Sequence, residues 1–306
     1  MAKQIWLYSC VEAGMSLSCW IWNRTPVGQV GMRPPYGANC LVTIGSVSCG
    51  PVTISNSPSS RWVQLTNGDV PLRCWCAEPL ARANDIESKS LTNRVYIVLP
   101  EVFGVNAWVR SVADRLAAQG HPALAVPLFA RTAPDLELAY EPSDLAQGRR
   151  HKDATTADQI LADVAVALAW LRGRYPEAAI HVVGFCFGGH AAFLAATLPG
   201  VAAAFDFYGA GVSRMRPGGG EPSLALLPEI KARLTCVFGS ADPLIPAEDR
   251  EAMVAALQKA DPAGQRLRSV ECAGADHGFM CEARGSFDPQ ASAQGWRLLL
   301  GEDPVD

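Results

Sequence analysis

The hexapeptide Gly184-Phe185-Cys186-Phe187-Gly188-Gly189 is the segment most suited to do chemistry in this 306-residue chain. It follows the strand-like run His181-Val182-Val183 and precedes a helix-forming stretch. That makes it a G-x-C-x-G-G nucleophile elbow, with cysteine in the serine position. A sharp strand-to-helix turn exposes the central side chain and needs small residues two positions to either side. The backbone N–H of the next residue, Phe187, then points at a developing oxyanion, and the helix N-terminus favours a thiolate. Taken alone, the hexapeptide fits a Gly-rich turn around a packed thiol equally well, since free cysteine is usually core. An elbow nucleophile also needs an acid and then a histidine further along, each just after a strand. Asp242 follows the run Leu234-Thr235-Cys236-Val237-Phe238, and His277 follows residues 268–274, in the required order. Asp276 is a rival acid but adjoins the histidine, on the wrong loop. His190 adjoins the elbow as a packing or capping residue of its helix, and His121, His151 and His181 have no comparable setting.

The elements around these residues alternate. Trp62–Leu65 and Leu72–Cys76 are short strand patterns around the hairpin signal Asn67-Gly68-Asp69. Asn93–Leu99 is a buried-strand run, Asn106–Ala118 a helix and Pro122–Val126 the next strand. Thr156-x-x-Gln159 is a capping box, after which Ile160, Val164, Leu168 and Leu171 fall on one helical face. Strands at Ala179–Gly184, Ala202–Tyr208, Leu234–Gly239 and Arg266–Glu271 are separated by helices at Gly189–Leu198 and Ala247–Gln258. Asp288-Pro289 opens a closing helix. Strands alternating with helices predict one α/β domain over residues 61–306, with a mostly parallel sheet covered on both faces.

Composition narrows the function classes. A net charge of −4 argues against nucleic-acid or anionic-membrane binding, and no run of eighteen apolar residues predicts a membrane span. Ten cysteines are too dilute for a disulfide scaffold. The lone C-x-C of Cys74 and Cys76 lacks a second pair for zinc. A reduced, cytoplasmic protein with mostly inert thiols is the expectation. Residues 1–60 differ from the rest: they carry four charges, against 52 in the other 246 residues, and hold no sustained period. They read as an N-terminal extension, poorly ordered or begun at an upstream start codon, and they lack the pattern of a secretory signal.

From Trp62 to about Leu300 the sequence resembles the dienelactone hydrolases of the α/β-hydrolase fold. The resemblance rests on Leu99-Pro100-Glu101-Val102-Phe103-Gly104-Val105-Asn106, Pro127-Leu128-Phe129-Ala130-Arg131, the cysteine elbow, Phe207-Tyr208-Gly209 and His277-Gly278-Phe279. It implies Cys186 as nucleophile, His277 as base, Asp242 as its orienting acid and Glu101 as the carboxylate that contacts the resting thiol. Val102 and Phe187 would supply the oxyanion-hole N–H groups, Arg131 would bind a substrate carboxylate, and Tyr208 would line the substrate site. One departure stands out. The second arginine that the best-known members carry four residues after the histidine is Cys281 here, and Arg284 is the candidate to replace it.

These residues imply opening of an enol lactone through a cysteine thioester, because a stabilised enolate leaves without strong acid assistance. The partner is then a small-molecule lactone or ester, and neither a metal nor an organic cofactor is required; the sequence is silent on oligomeric state. A general carboxylesterase with a less anionic substrate, and a binding module on a dead hydrolase scaffold, are the competing readings.

Overall fold

The structure, a computed structural model, describes residues 58–80 and 93–302. The expected extension over residues 1–60 lies almost wholly outside the described residues. Strands β1 (Ser59–Asn67) and β2 (Val70–Glu78) form the hairpin foreseen from Asn67-Gly68-Asp69, with Asn67 opposite Val70 and Gly68 at φ 59°. Six further strands follow: β3 (Arg94–Leu99), β4 (Ala123–Ala125), β5 (Ala179–Phe185), β6 (Val201–Phe207), β7 (Arg233–Gly239) and β8 (Leu267–Cys272). Together they make an eight-stranded sheet in the order β1-β2-β4-β3-β5-β6-β7-β8. The β1–β2 and β2–β4 pairings are antiparallel and all others parallel. This is the α/β-hydrolase architecture.

Consecutive residues of β3, β5 and β7 are buried almost throughout. Because alternate side chains point to opposite faces, both faces of the sheet are covered. The covering helices form for local reasons. Helix α1 (Ala107–Ala118) is capped by Asn106, whose side chain accepts from Val109 N at 3.1 Å, and it buries Trp108, Val109, Val112 and Leu116. Helix α3 (Ala157–Arg174) begins at the capping box, with Thr156 Oγ1 and Gln159 Oε1 each accepting the other residue's N–H, and buries Ile160, Val164, Leu168 and Leu171. The closing helix α6 (Pro289–Leu300) has Asp288 as its cap and ends at Gly301, φ 72°.

Two helical segments had no forecast. Helix α2 (Pro142–Asp153) buries only Gly148, so its sequence lacks the apolar stripe that announces a helix. A 3-10 helix spans Ser223–Glu229. Helix α4 (Phe187–Ala195) starts two residues before the predicted Gly189, directly after Cys186, and all nine of its residues are buried. Helix α5 (Ala247–Ala260) lies where expected. Among the described residues, no single helix is long and apolar enough to cross a membrane.

The strand order places the chemistry. The chain moves outward from β3 to β4, then returns to β5 on the other side of β3, so the order reverses between two adjacent strands. Such a switch point opens a crevice at the carboxyl ends of the strands. Leu99 pairs with Gly184 at that end of β3 and β5, which brings Glu101 and Cys186 to neighbouring turns.

Candidate active site

Each functional side chain lies just beyond a strand's carboxyl end: Glu101 after β3, Cys186 after β5, Tyr208 after β6, Asp242 after β7 and His277 after β8. The elbow has the strain that its sequence pattern implies. Cys186 sits at φ 56°, ψ −118°, a region that side-chain-bearing residues rarely occupy. The glycines are required by contact rather than by backbone angle. A Cβ on Gly184 would lie 1.7 Å from Gly188 O, and one on Gly188 would lie 2.3 Å from Leu99 O. Cys186 is partly exposed, while Cys74, Cys76, Cys236, Cys272 and Cys281 are buried, and all six are free thiols.

The imidazole and its acid are in place. His277 Nδ1 lies 2.8 Å from Asp242 Oδ2, and Asp242 Oδ1 accepts from Leu244 N at 2.8 Å, which fixes the carboxylate. Both residues are buried. With Nδ1 bound to the carboxylate, Nε2 is the remaining ring nitrogen, and it has no hydrogen-bond partner of good geometry. Burial pulls the His277 pKa down. Cys186 and Asp242 more than reverse this, leaving it at about 10. The edge of the Tyr208 ring packs on the imidazole with centroids 5.2 Å apart, and Tyr208 itself is completely buried at φ 43°. The Asp206 carboxylate, accepting from Gly209 N at 2.8 Å, anchors the turn that carries Tyr208.

The rival residues have other tasks. Asp276 accepts its neighbour's backbone N–H from His277. His190 is buried with Nε2 2.7 Å from Ser223 Oγ and Nδ1 3.0 Å from Ala210 O, the packing role expected of it.

Two backbone N–H groups on the turns after β3 and β5 have no backbone acceptor among the described residues. Phe187 is the first residue of α4, so its N–H has no partner within the helix. Among the described residues, the Val102 N–H also meets no backbone acceptor. Helix α2 presses on Val102, where a Cβ on Gly148 would lie 2.2 Å from Val102 O. Glu101 is wholly buried and accepts from Arg284 Nη1 at 2.7 Å. Burial pushes its carboxyl up, with Arg284 and then His277 opposing.

This constellation gathers a strained cysteine, a histidine and a buried carboxylate at the carboxyl ends of the strands. The dienelactone hydrolase family profile matches residues 82–301. The chain belongs to that family. It is therefore a hydrolase of esters or lactones. A Synechocystis protein provisionally named carboxymethylenebutenolidase is 36% identical over 240 residues, covering 78% of this chain and 93% of the relative. The carboxymethylenebutenolidase of Pseudomonas putida is 32% identical over 161 residues, 51% of this chain and 64% of the relative. A provisionally named dienelactone hydrolase from Klebsiella pneumoniae has the same fold, with TM-score 0.68 at 24% identity, over 80% of this chain and 98% of that one.

The structure gives protein partners to two residues expected at the site, Arg131 and Glu101. Arg131 Nη1 and Nη2 donate to Asp163 at 2.6 and 3.0 Å, and Asp163, which also accepts from Asn67, is buried. A fork already filled by a buried carboxylate is a structural tie between the strand-end loop and α3. Glu101 is bound to Arg284 rather than to the thiol, while Cys186 acts on His277. Arg284 does reach the site. Its guanidinium covers Gly278, where a Cβ would lie 2.5 Å from Nη1, and Cys186 and Tyr208 both act on its charge. Cys281 is fully buried, and burial first, with Glu101 next, raises its thiol to about 12. Tyr140, which sequence reasoning missed, packs edge-on against Phe103 at 4.6 Å.

Proposed function

We propose that the protein opens an enol lactone of the dienelactone type through a thioester on Cys186. The observation that carries this reading is the strained cysteine at the N-terminus of α4 facing an imidazole whose other nitrogen is held by a buried carboxylate. His277, whose pKa Cys186 and Asp242 raise against the pull of burial, is the base that takes the proton of Cys186. Sulfur attacks the ring carbonyl, and the Val102 and Phe187 N–H groups stabilise the oxyanion, each donor supporting roughly 3 kcal/mol of barrier reduction. The C–O bond of the ring breaks, and the released enolate takes a proton from His277. Neutral His277 then activates water against the thioester, which frees the acid product and restores the thiol.

Arg284 is the cation placed to hold a substrate carboxylate. Its Nη1 serves Glu101, its remaining donors are unassigned, and its side chain is 21% exposed. Tyr208 shapes the site by fixing the imidazole ring. An anionic lactone from the breakdown of aromatic compounds fits one such arginine. A less anionic ester is the second reading, favoured by the engagement of Arg131 with Asp163. Free thiols at all six described cysteines suit a reducing cytoplasm.

The test is to trap the acyl-enzyme by acid quench and mass spectrometry, and to assay cis-dienelactone, protoanemonin and p-nitrophenyl acetate side by side. An adduct on Cys186, and a Cys186→Ala variant with under about one per cent of activity, are expected. Full activity in Cys186→Ala would overturn the assignment.

A further inference from the structure

Two buried polar atoms beside the site have no hydrogen-bond partner of good geometry: the Tyr140 hydroxyl and Glu101 Oε2. Leaving such groups unpaired is unfavourable, so a side chain retained only for packing would be better served by phenylalanine. The two groups act on each other. Tyr140 is among the groups that favour the charged form of Glu101, and Glu101 raises the tyrosine's own pKa. The Cys281 thiol flanks the same hydroxyl.

The segment that delivers Tyr140 is fastened to the Glu101 loop without help from the hydroxyl. Gly104 and Glu137 form an antiparallel bridge, Leu138 N donates to Phe103 O at 2.9 Å, and Asn106 Nδ2 donates to Leu138 O at 3.1 Å. Gly104 lets Leu136 approach so closely that a Cβ would lie 2.0 Å from its carbonyl oxygen. Arg73 and Arg110 both hold the Glu137 carboxylate. The Tyr140 ring is fixed edge-on to Phe103, with the Arg284 guanidinium 6.0 Å from its centre.

We propose that Tyr140 is a positioning residue for Glu101: its hydroxyl serves Oε2 while Arg284 holds Oε1, so that the carboxylate is turned from the sulfur. This rests on the reading of Cys186 as nucleophile. In that role Tyr140 sets the pH at which Glu101 gains a proton and loosens Arg284, and so the acid limit of Cys186 reactivity.

The experiment compares wild type, Tyr140→Phe, Glu101→Gln and the double variant. The readouts are the pH dependence of iodoacetamide alkylation at Cys186, followed by mass spectrometry, and kcat and KM for p-nitrophenyl acetate. Tyr140→Phe should move the acid limb of alkylation upward by about half a unit to one unit, the size of one neutral hydrogen bond at 1.36 kcal/mol per unit. It should lower kcat near that limb more than it changes KM, with an unchanged melting temperature. In the Glu101→Gln background the same substitution should move nothing. Superposable profiles for wild type and Tyr140→Phe, or an equal shift with and without Glu101, would overturn the proposal. Failure of the nucleophile reading shows separately, as hydrolysis that survives complete alkylation of Cys186.

Discussion

Replacing Arg284 by alanine separates two kinds of substrate. Arg284 Nη1 lies 2.7 Å from the oxygen of a carboxylate that no solvent reaches, and the arginine side chain is only 21% exposed. Stranding a buried ionised partner typically costs about 3–5 kcal/mol. Burial already pushes the Glu101 carboxyl up, so in the variant it takes a proton and part of that cost disappears. The larger effect falls on binding. A charge-assisted contact to a substrate carboxylate is worth roughly 1.5–3 kcal/mol, about ten- to a hundredfold in affinity. Steady-state kinetics of Arg284→Ala should therefore show KM for cis-dienelactone raised by that factor, while KM for neutral p-nitrophenyl acetate stays within about twofold. Arg131→Ala supplies the contrast. It removes both guanidinium bonds from buried Asp163 and leaves only the Asn67 amide, so it should lower the melting temperature and treat the two substrates alike. Cys281→Arg should add little for the anionic substrate, because position 281 is wholly enclosed and Arg284 already stands at the site. Equal effects of Arg284→Ala on anionic and neutral substrates would refute the reasoning, as would anion selectivity lost in Arg131→Ala.

Three further outcomes follow from the geometry. Gly188→Ala drives a Cβ to 2.3 Å from Leu99 O and 2.5 Å from Pro100 O, so it should cost about 1–3 kcal/mol or more in urea unfolding. Gly173→Ala in α3 meets nothing within 4 Å and should be neutral or stabilising by up to about 1 kcal/mol, and equal behaviour of the two would contradict the packing argument. His181 is buried beside Tyr96 and Phe205 and its pKa falls to about 3, against 6.5 when exposed, so the unfolded chain binds the extra proton. Stability is then full above pH 6.5 and declines by roughly 3 kcal/mol by pH 4, with denaturation midpoints that flatten in His181→Leu, and a flat wild-type profile over that range would be incompatible. Removing residues 1–57 leaves β1 whole from Ser59 and should preserve folding and hydrolysis, whereas removal through Leu65 takes away the strand paired with β2; a large fall in melting temperature on the first truncation would show that the extension is needed.

What the sequence made legible and what it hid have the same physical source. The elbow, Asp242 and His277 could be read because each constraint is local: a turn that must be small on both sides, and an acid and a histidine that each close a strand. Strand runs such as Asn93–Leu99 announced themselves because both faces of the sheet are covered, so Val95–Leu99 run without a charged residue. Helix α2 escaped because it buries only Gly148, against Val102, and packs on the core through few other residues such as Leu145, which leaves a polar sequence without a period. The tasks of Arg131 and Arg284 are not local quantities at all. A sequence shows that two arginines exist near two motifs; it does not show that Asp163, 32 residues after Arg131 and mid-helix, takes both donors of one. Nor does it show that a loop reaching 183 residues back along the chain sets the other on Glu101. Tyr140 was hidden for the same reason, since it is the bridge between Gly104 and Glu137, with the bonds of Leu138 to Phe103 and Asn106, that lays the residues before α2 over the Glu101 loop. The elbow, the acid and the histidine therefore follow from the strand ends, while the partners of Arg131 and Arg284 are fixed by contacts between segments far apart in the chain.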